Sequence, residues 1–167
     1  YRPDEAVLQA LARYDHVHIG WLNDGGAAKR WLRSRGVSVS QDLSVNNTPD
    51  NLSAAGLSVA FASAEPGAEL TCASELLRTG AALAVIAVGP AGSYASSGRT
   101  TARAPAVPVE AVDTTGAGDS FIAGFLVAHL TGAALPEALS AGARHARAAC
   151  LHLGGFPQEP RAVITSL

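Results

Sequence analysis

Short apolar runs alternate with amphipathic stretches between His16 and Val88, and this order constrains the fold more than any other feature of the chain. Strand signals stand at 16–20, 37–41, 57–61 and 83–88. The first two flank a helix-like segment in which Asn23 and Asp24 offer N-caps, Ala27, Ala28, Trp31 and Leu32 form an apolar stripe, and Gly36 is the stop. The last two flank a second segment, opened by Pro66, with Cys72, Ala73, Leu76 and Leu77 on one face and Gly80 at its end. Strands joined through a helix run parallel, because the helix returns the chain to the end of the sheet from which it left. The expected class is α/β, a mostly parallel sheet layered against helices. Ligands in such sheets bind beyond the carboxyl ends of the strands.

The rest of the chain fits this frame. Residues 3–14 read as a short helix with acidic residues at its positive end, and 42–55 as a loop or a short helix. Gly89-Pro90-Ala91-Gly92 is a turn, and 93–108 is hairpin material with small polar residues at its tip. Two helices follow, one from about Asp119 to Gly132 and one from Pro136 to about Gly154-Gly155. No repeat and no linker interrupts the pattern, so 1–167 is read as one domain.

Composition removes several classes of function. With 12 basic against 14 acidic residues the net charge is −2, so no basic excess exists to neutralise a nucleic acid backbone. The longest purely apolar run, 81–88, falls far short of the roughly 20 residues of a membrane span. Two cysteines, Cys72 and Cys150, stand far apart in helix-like patterns and read as reduced core thiols of a cytoplasmic protein. The five histidines show no metal-ligand spacing. Trp21 and Trp31 read as core or near-core packing, and Tyr94 as a surface residue of the hairpin. The chain starts at Tyr1 and contains no methionine, so it is expected to be part of a longer protein.

The chemistry concentrates in Asp113-Thr114-Thr115-Gly116-Ala117-Gly118-Asp119-Ser120-Phe121. Two glycines flank an alanine just before a helix that buries Phe121, Ile122, Phe125 and Leu126. The first N–H groups of a helix lack intrahelical partners and sit at the positive end of its dipole, which makes them an anion site. Asp119 stands at the same place, where its carboxylate would repel a resting phosphate. A hydroxyl substrate between the two would explain it, since the carboxylate can take the hydroxyl proton while the loop amides hold the phosphoryl charge. Local chemistry leaves a second reading open, in which Asp119 and Ser120 only cap a helix after a glycine turn.

The string DTTGAGDSFIAGFL closely resembles the second signature of the PfkB (ribokinase-like) carbohydrate kinases. The likeness continues through His18-Ile19-Gly20-Trp21 and 37–42, through the turn at Gly89–Gly92, and through the helix from Pro136 with Gly154-Gly155. It covers the C-terminal portion of the family, whose fold is a three-layer α/β/α sandwich. The family's sugar-binding part and lid strands would precede this sequence.

The resemblance implies that Asp119 is the catalytic base and that Gly116, Ala117 and Gly118 form the anion hole. It implies that Gly89 and Gly92 border the nucleotide, and that Asp113 and Thr115 hold a monovalent cation such as K+. It also implies that Glu65 positions Mg2+ through water, although the family's Asn-x-x-Glu motif reads Ala62-Ser63-Ala64-Glu65 here. For Glu65 an acidic cap ahead of Pro66 stays open. The implied function is an ATP-dependent kinase acting on a hydroxyl of a sugar or sugar derivative, with a non-catalytic nucleotide-binding module as the alternative. Residues 37–42 and 57–64 are similar to the fructoselysine 6-kinase branch. A homodimer is expected, and residues 1–167 alone are expected to aggregate or dimerise.

Overall fold

A computed structural model describes residues 1–45 and 49–156. They belong to two units, Tyr1–Pro105 and the segment from Ala106 onward. The first unit is built on a six-stranded sheet whose spatial order follows the sequence. β1 (His16–Ile19), β2 (Ser38–Asp42), β3 (Val59–Ser63) and β4 (Ala84–Ala87) are parallel, with register pairs such as Val17 with Val39, Gln41 with Ala60, and Ala60 with Ala84. β5 (Ser93–Ser96) and β6 (Thr101–Ala104) then add an antiparallel hairpin beside β4.

Alternation along these strands selects one face for the helices. Val17, Ile19, Val39 and Ala60 share a buried cluster with Ala28 and Leu32 of α2 (Gly25–Arg33), and α1 (Glu5–Leu11) adds Leu8 and Leu11. Ala84, Ile86 and Tyr94 pack with Ala73, Leu76 and Leu77 of α3 (Glu69–Arg78). Ile86 and Tyr94 are register partners, so the alternation that buries one buries the other. Tyr94 is therefore a core residue, and its expected place on the hairpin surface is corrected. Trp21 departs the other way: it is 77% exposed, because it lies beyond the end of β1 and outside the strand's alternation.

Two boundaries shift for local reasons. The Leu57 amide donates to the Ala54 carbonyl at 3.1 Å, so Leu57 closes a turn and the strand begins two residues later than expected. Gly67 has φ +92°, which a helix cannot contain. Pro66 therefore opens a turn, closed by the Ala68 amide on the Glu65 carbonyl at 3.0 Å, and α3 starts at Glu69.

The second unit is a helical pair, α4 (Ala117–Leu130) and α5 (Leu135–Ala149). Its core holds Phe121, Phe125 and Leu126 of α4 and Ala138 and Leu139 of α5. Gly142 lies under Phe121 and Gly124 under His145; a Cβ at either would come within 2.8 or 2.6 Å of the covering ring. These two glycines allow the helices to approach closely. α5 ends before Cys150, short of the expected Gly154-Gly155. Both cysteines are free thiols, and burial pushes the Cys72 thiol up. No helix among the described residues is long and apolar enough to cross a membrane.

Candidate active site

Asp113 organises the loop that enters α4. Its Oδ1 accepts the Thr115 backbone N–H at 2.9 Å and the Thr115 hydroxyl at 2.8 Å, and its Oδ2 accepts the Gly154 N–H at 2.9 Å. The Thr115 and Gly154 backbone bonds, followed by the Thr115 hydroxyl, hold this carboxyl down at about 2. Asp113 thereby ties the start of α4 to the chain that leaves α5.

Gly116 completes the turn with φ +76°. A Cβ there would also stand 2.7 Å from the Gly155 Cα, so both the backbone angle and the close approach require glycine. The Ala117 N–H donates to the Thr114 carbonyl at 3.1 Å, and the Ser120 N–H to the Gly116 carbonyl at 2.9 Å. Between them, the N–H groups of Gly118 and Asp119 have no acceptor among the described residues. A Cβ built on Gly118 meets nothing within 4 Å, so open space lies before this turn. Asp119 is exposed, and its carboxylate has no ion-pair partner among the described residues. Two bare amides at the positive end of a 14-residue helix and one acid therefore face solvent together. Such a group can hold phosphoryl oxygens and accept a proton from a nearby hydroxyl.

The remaining predicted residues lie in the first unit, at the carboxyl ends of neighbouring parallel strands. Glu65 stands two residues beyond β3, and Gly89 two beyond β4. The Ala64 amide donates to the Ala87 carbonyl at 3.0 Å, which carries the strand pairing out to this rim. Gly89 opens a 3-10 turn, Gly89–Ala91, with φ +52°, and Gly92 closes it with φ +100°. Glu65 is exposed and does not cap α3. Ala68 stands at the N-cap without a side-chain bond, and Glu69, the first helical residue, accepts the Gly67 N–H at 2.8 Å and pairs with Arg103 at 2.7 Å. A bond from its own backbone N–H, then the Arg103 and Gly67 bonds, keep the Glu69 carboxyl below its usual range.

A polar cluster at Lys29 escaped the sequence reading. Lys29, the only lysine of the chain, is 2% exposed. Its ammonium donates to the Ser53 carbonyl and, at 3.4 Å, to Gln41 Oε1. Burial lowers its pKa. The one available signal was its place in α2, on the turn that also carries Ala28 and Leu32 inward.

Comparison with known proteins shows the family of the chain. The model of the pfkB family carbohydrate kinases matches residues 58–161. Fructoselysine 6-kinase of Shigella flexneri is 35% identical over 136 residues, 79% of this chain and 52% of that protein. A microbiome-derived acarbose kinase superposes with TM-score 0.79 at 26% identity, over 95% of this chain and 57% of that one. Arabidopsis thaliana ribokinase, solved with ribose and ATP, superposes with TM-score 0.79 at 20% identity, over 92% of this chain and 55% of that one. The chain spans about half the length of the relatives it matches. The fold is ribokinase-like, and the chain belongs to the pfkB family of carbohydrate kinases.

Proposed function

We propose that the protein is an ATP-dependent kinase that phosphorylates a hydroxyl of a sugar or sugar derivative. One observation carries this reading: the unpartnered amides of Gly118 and Asp119 and the exposed Asp119 carboxylate share the open mouth of α4. Asp119 takes the proton of the acceptor hydroxyl as its oxygen attacks the γ-phosphorus of ATP. The bond from that phosphorus to the β–γ bridging oxygen breaks, and ADP leaves. The turn at Gly116, Ala117 and Gly118 is the anion hole, with the free N–H groups of Gly118 and Asp119 holding the transferred oxygens.

Gly89 and Gly92 border the nucleotide, where a turn without side chains admits close approach. Glu65, exposed at the strand ends and free of any capping duty, fits a role in holding Mg2+ through water. Mg2+ supplies charge neutralisation on the phosphates. Asp113 and Thr115 are assigned to a monovalent cation such as K+; the Asp113 oxygens already accept three donors, which leaves only their remaining lone pairs for it. The identity to fructoselysine 6-kinase supports fructoselysine as the acceptor to try first. The two free thiols support a cytoplasmic setting. Residues 1–167 are the nucleotide-binding and catalytic portion of the enzyme in this reading.

The test is Asp119→Asn in the full-length protein. Turnover should fall by at least ~10²-fold while ATP binding, measured by calorimetry, stays nearly unchanged. Turnover like that of the wild type would end the assignment. Ala62, standing where the family's asparagine would be, favours a second reading as a non-catalytic nucleotide-binding module. ATP binding without turnover on any acceptor would decide for it.

A further inference from the structure

The carboxyl rim of the first unit's sheet holds a charge that the kinase mechanism leaves unused. Asp42, the last residue of β2, is 9% exposed. Its Oδ1 accepts the Ser44 N–H at 2.8 Å, and its Oδ2 receives no hydrogen bond among the described residues. No lysine, arginine or histidine of the described residues forms an ion pair with it. A carboxylate withdrawn this far from water needs a countercharge, which one amide of a turn does not supply. The polar side-chain atoms fully sealed without a partner, among the described residues, are Ser93 Oγ and His129 Nδ1. Asp42 Oδ2 is not one of them, so it keeps an opening at the rim.

The pairing of the strands sets what lies beside it. Asp42 is the register partner of Phe61, and the Leu43 N–H donates to the Phe61 carbonyl at 2.9 Å. The Ser44 hydroxyl then donates to Ser63 Oγ at 3.4 Å. The chain leaving β2 therefore stays beside the end of β3, and Glu65 stands two residues further on, exposed and without an ion-pair partner among the described residues. Two carboxylates and two hydroxyls thus gather at the ends of neighbouring parallel strands. This set is all oxygen, which suits a hard divalent cation. Mg2+ takes one or two carboxylates and fills its other positions with water and phosphate oxygens. Ala62 offers no oxygen from its side chain, which packs with the cluster under α3.

We infer that Asp42 is a second carboxylate of the divalent-cation site assigned to Glu65, and that it supplies the oxygen which Ala62 cannot. The ion is the countercharge that the buried carboxylate lacks. The task of the ion rests on the kinase reading above, while its binding is tested apart from turnover.

The experiment is Mn2+ binding to the full-length protein without nucleotide, read by electron paramagnetic resonance, beside Tm with and without Mg2+. Asp42→Asn should weaken Mn2+ binding by about 10–100-fold, and Glu65→Gln by a similar factor. Asparagine keeps an oxygen for the Ser44 N–H, so without divalent ions the Tm of Asp42→Asn should equal or exceed that of the wild type. Mg2+ should raise the Tm of the wild type and leave that of Asp42→Asn nearly unchanged. In turnover, the Mg2+ concentration for half-maximal rate should rise in Asp42→Asn, with kcat nearly restored at saturation. A wild type that binds no Mn2+, or an Asp42→Asn protein that binds it equally well, overturns the inference. So does a lower Tm of Asp42→Asn in the absence of divalent ions, which would make the carboxylate a structural group. Mn2+ binding that needs both carboxylates, in a protein that phosphorylates nothing, would uphold this site and count against the kinase reading alone.

Discussion

Gly118→Ala separates what the α4 turn does for folding from what it does for chemistry. Gly118 is the second residue of α4, has ordinary helical geometry, and would place a Cβ with no heavy atom within 4 Å. Alanine there restricts the unfolded chain more than glycine does and costs nothing sterically. It should stabilise the protein by about 0.5–1 kcal/mol. For a protein of this size class that is roughly 1–4 °C in Tm. The same methyl group projects into the space in front of the free Gly118 and Asp119 amides. If a phosphoryl group must reach them there, kcat should fall by about 10²-fold, the scale of losing one oxyanion donor. Thermal unfolding by differential scanning fluorimetry and a coupled ADP-release assay on one preparation of the full-length enzyme would read both quantities. Gly116→Ala is the control, because φ +76° and the Gly155 Cα 2.7 Å from its Cβ make that change strained. It should lose stability, by at least ~1–2 kcal/mol for the left-handed backbone alone, as well as activity. A Gly118→Ala enzyme that is more stable and fully active would refute the claim that phosphate approaches this turn.

Two titrations test the electrostatics on either side of the chain. The Asp113 carboxyl is held at about 2 against an ordinary 3.8, so its contribution to stability is complete above about pH 3.8 and is lost as pH falls through about 2. The Tm advantage of wild type over Asp113→Asn should therefore shrink across that window, and an advantage that grows on acidification would contradict the hydrogen bonds described here. Burial lowers the Lys29 pKa below 10.5, so the unfolded chain binds a proton that the folded chain sheds as pH rises toward that value. Stability should rise with pH there in the wild type relative to Lys29→Met, which should itself be about 1–3 kcal/mol less stable at neutral pH for want of the Ser53 and Gln41 bonds. Parallel pH profiles for the two proteins would remove Lys29 from the buried cluster.

Spacing and residue type alone were enough for the parallel core and for the glycine turn that opens α4. Strand periodicity at Val17/Ile19 and Val37/Val39, with a capped helix between, leaves few alternatives to a parallel pair, because those signals act over neighbouring residues. The glycine turn before Phe121 likewise states its chemistry locally, since bare amides follow from any helix start. Boundaries were less legible where one residue overrode its neighbours: Gly67 cut the start of α3, and the turn at Leu57 delayed β3. Tyr94 and Trp21 exchanged their expected places because Tyr94 shares the sheet face that α3 covers, while Trp21 lies beyond the end of β1. That Gly154 would bind Asp113 and Gly155 would press on Gly116 joins segments about 40 residues apart, as does the Lys29–Ser53 contact on a shorter scale. The local signals that write helices and strands into a sequence carry no record of such meetings; close packing and the need to pair every buried polar group decided them only once the chain had folded.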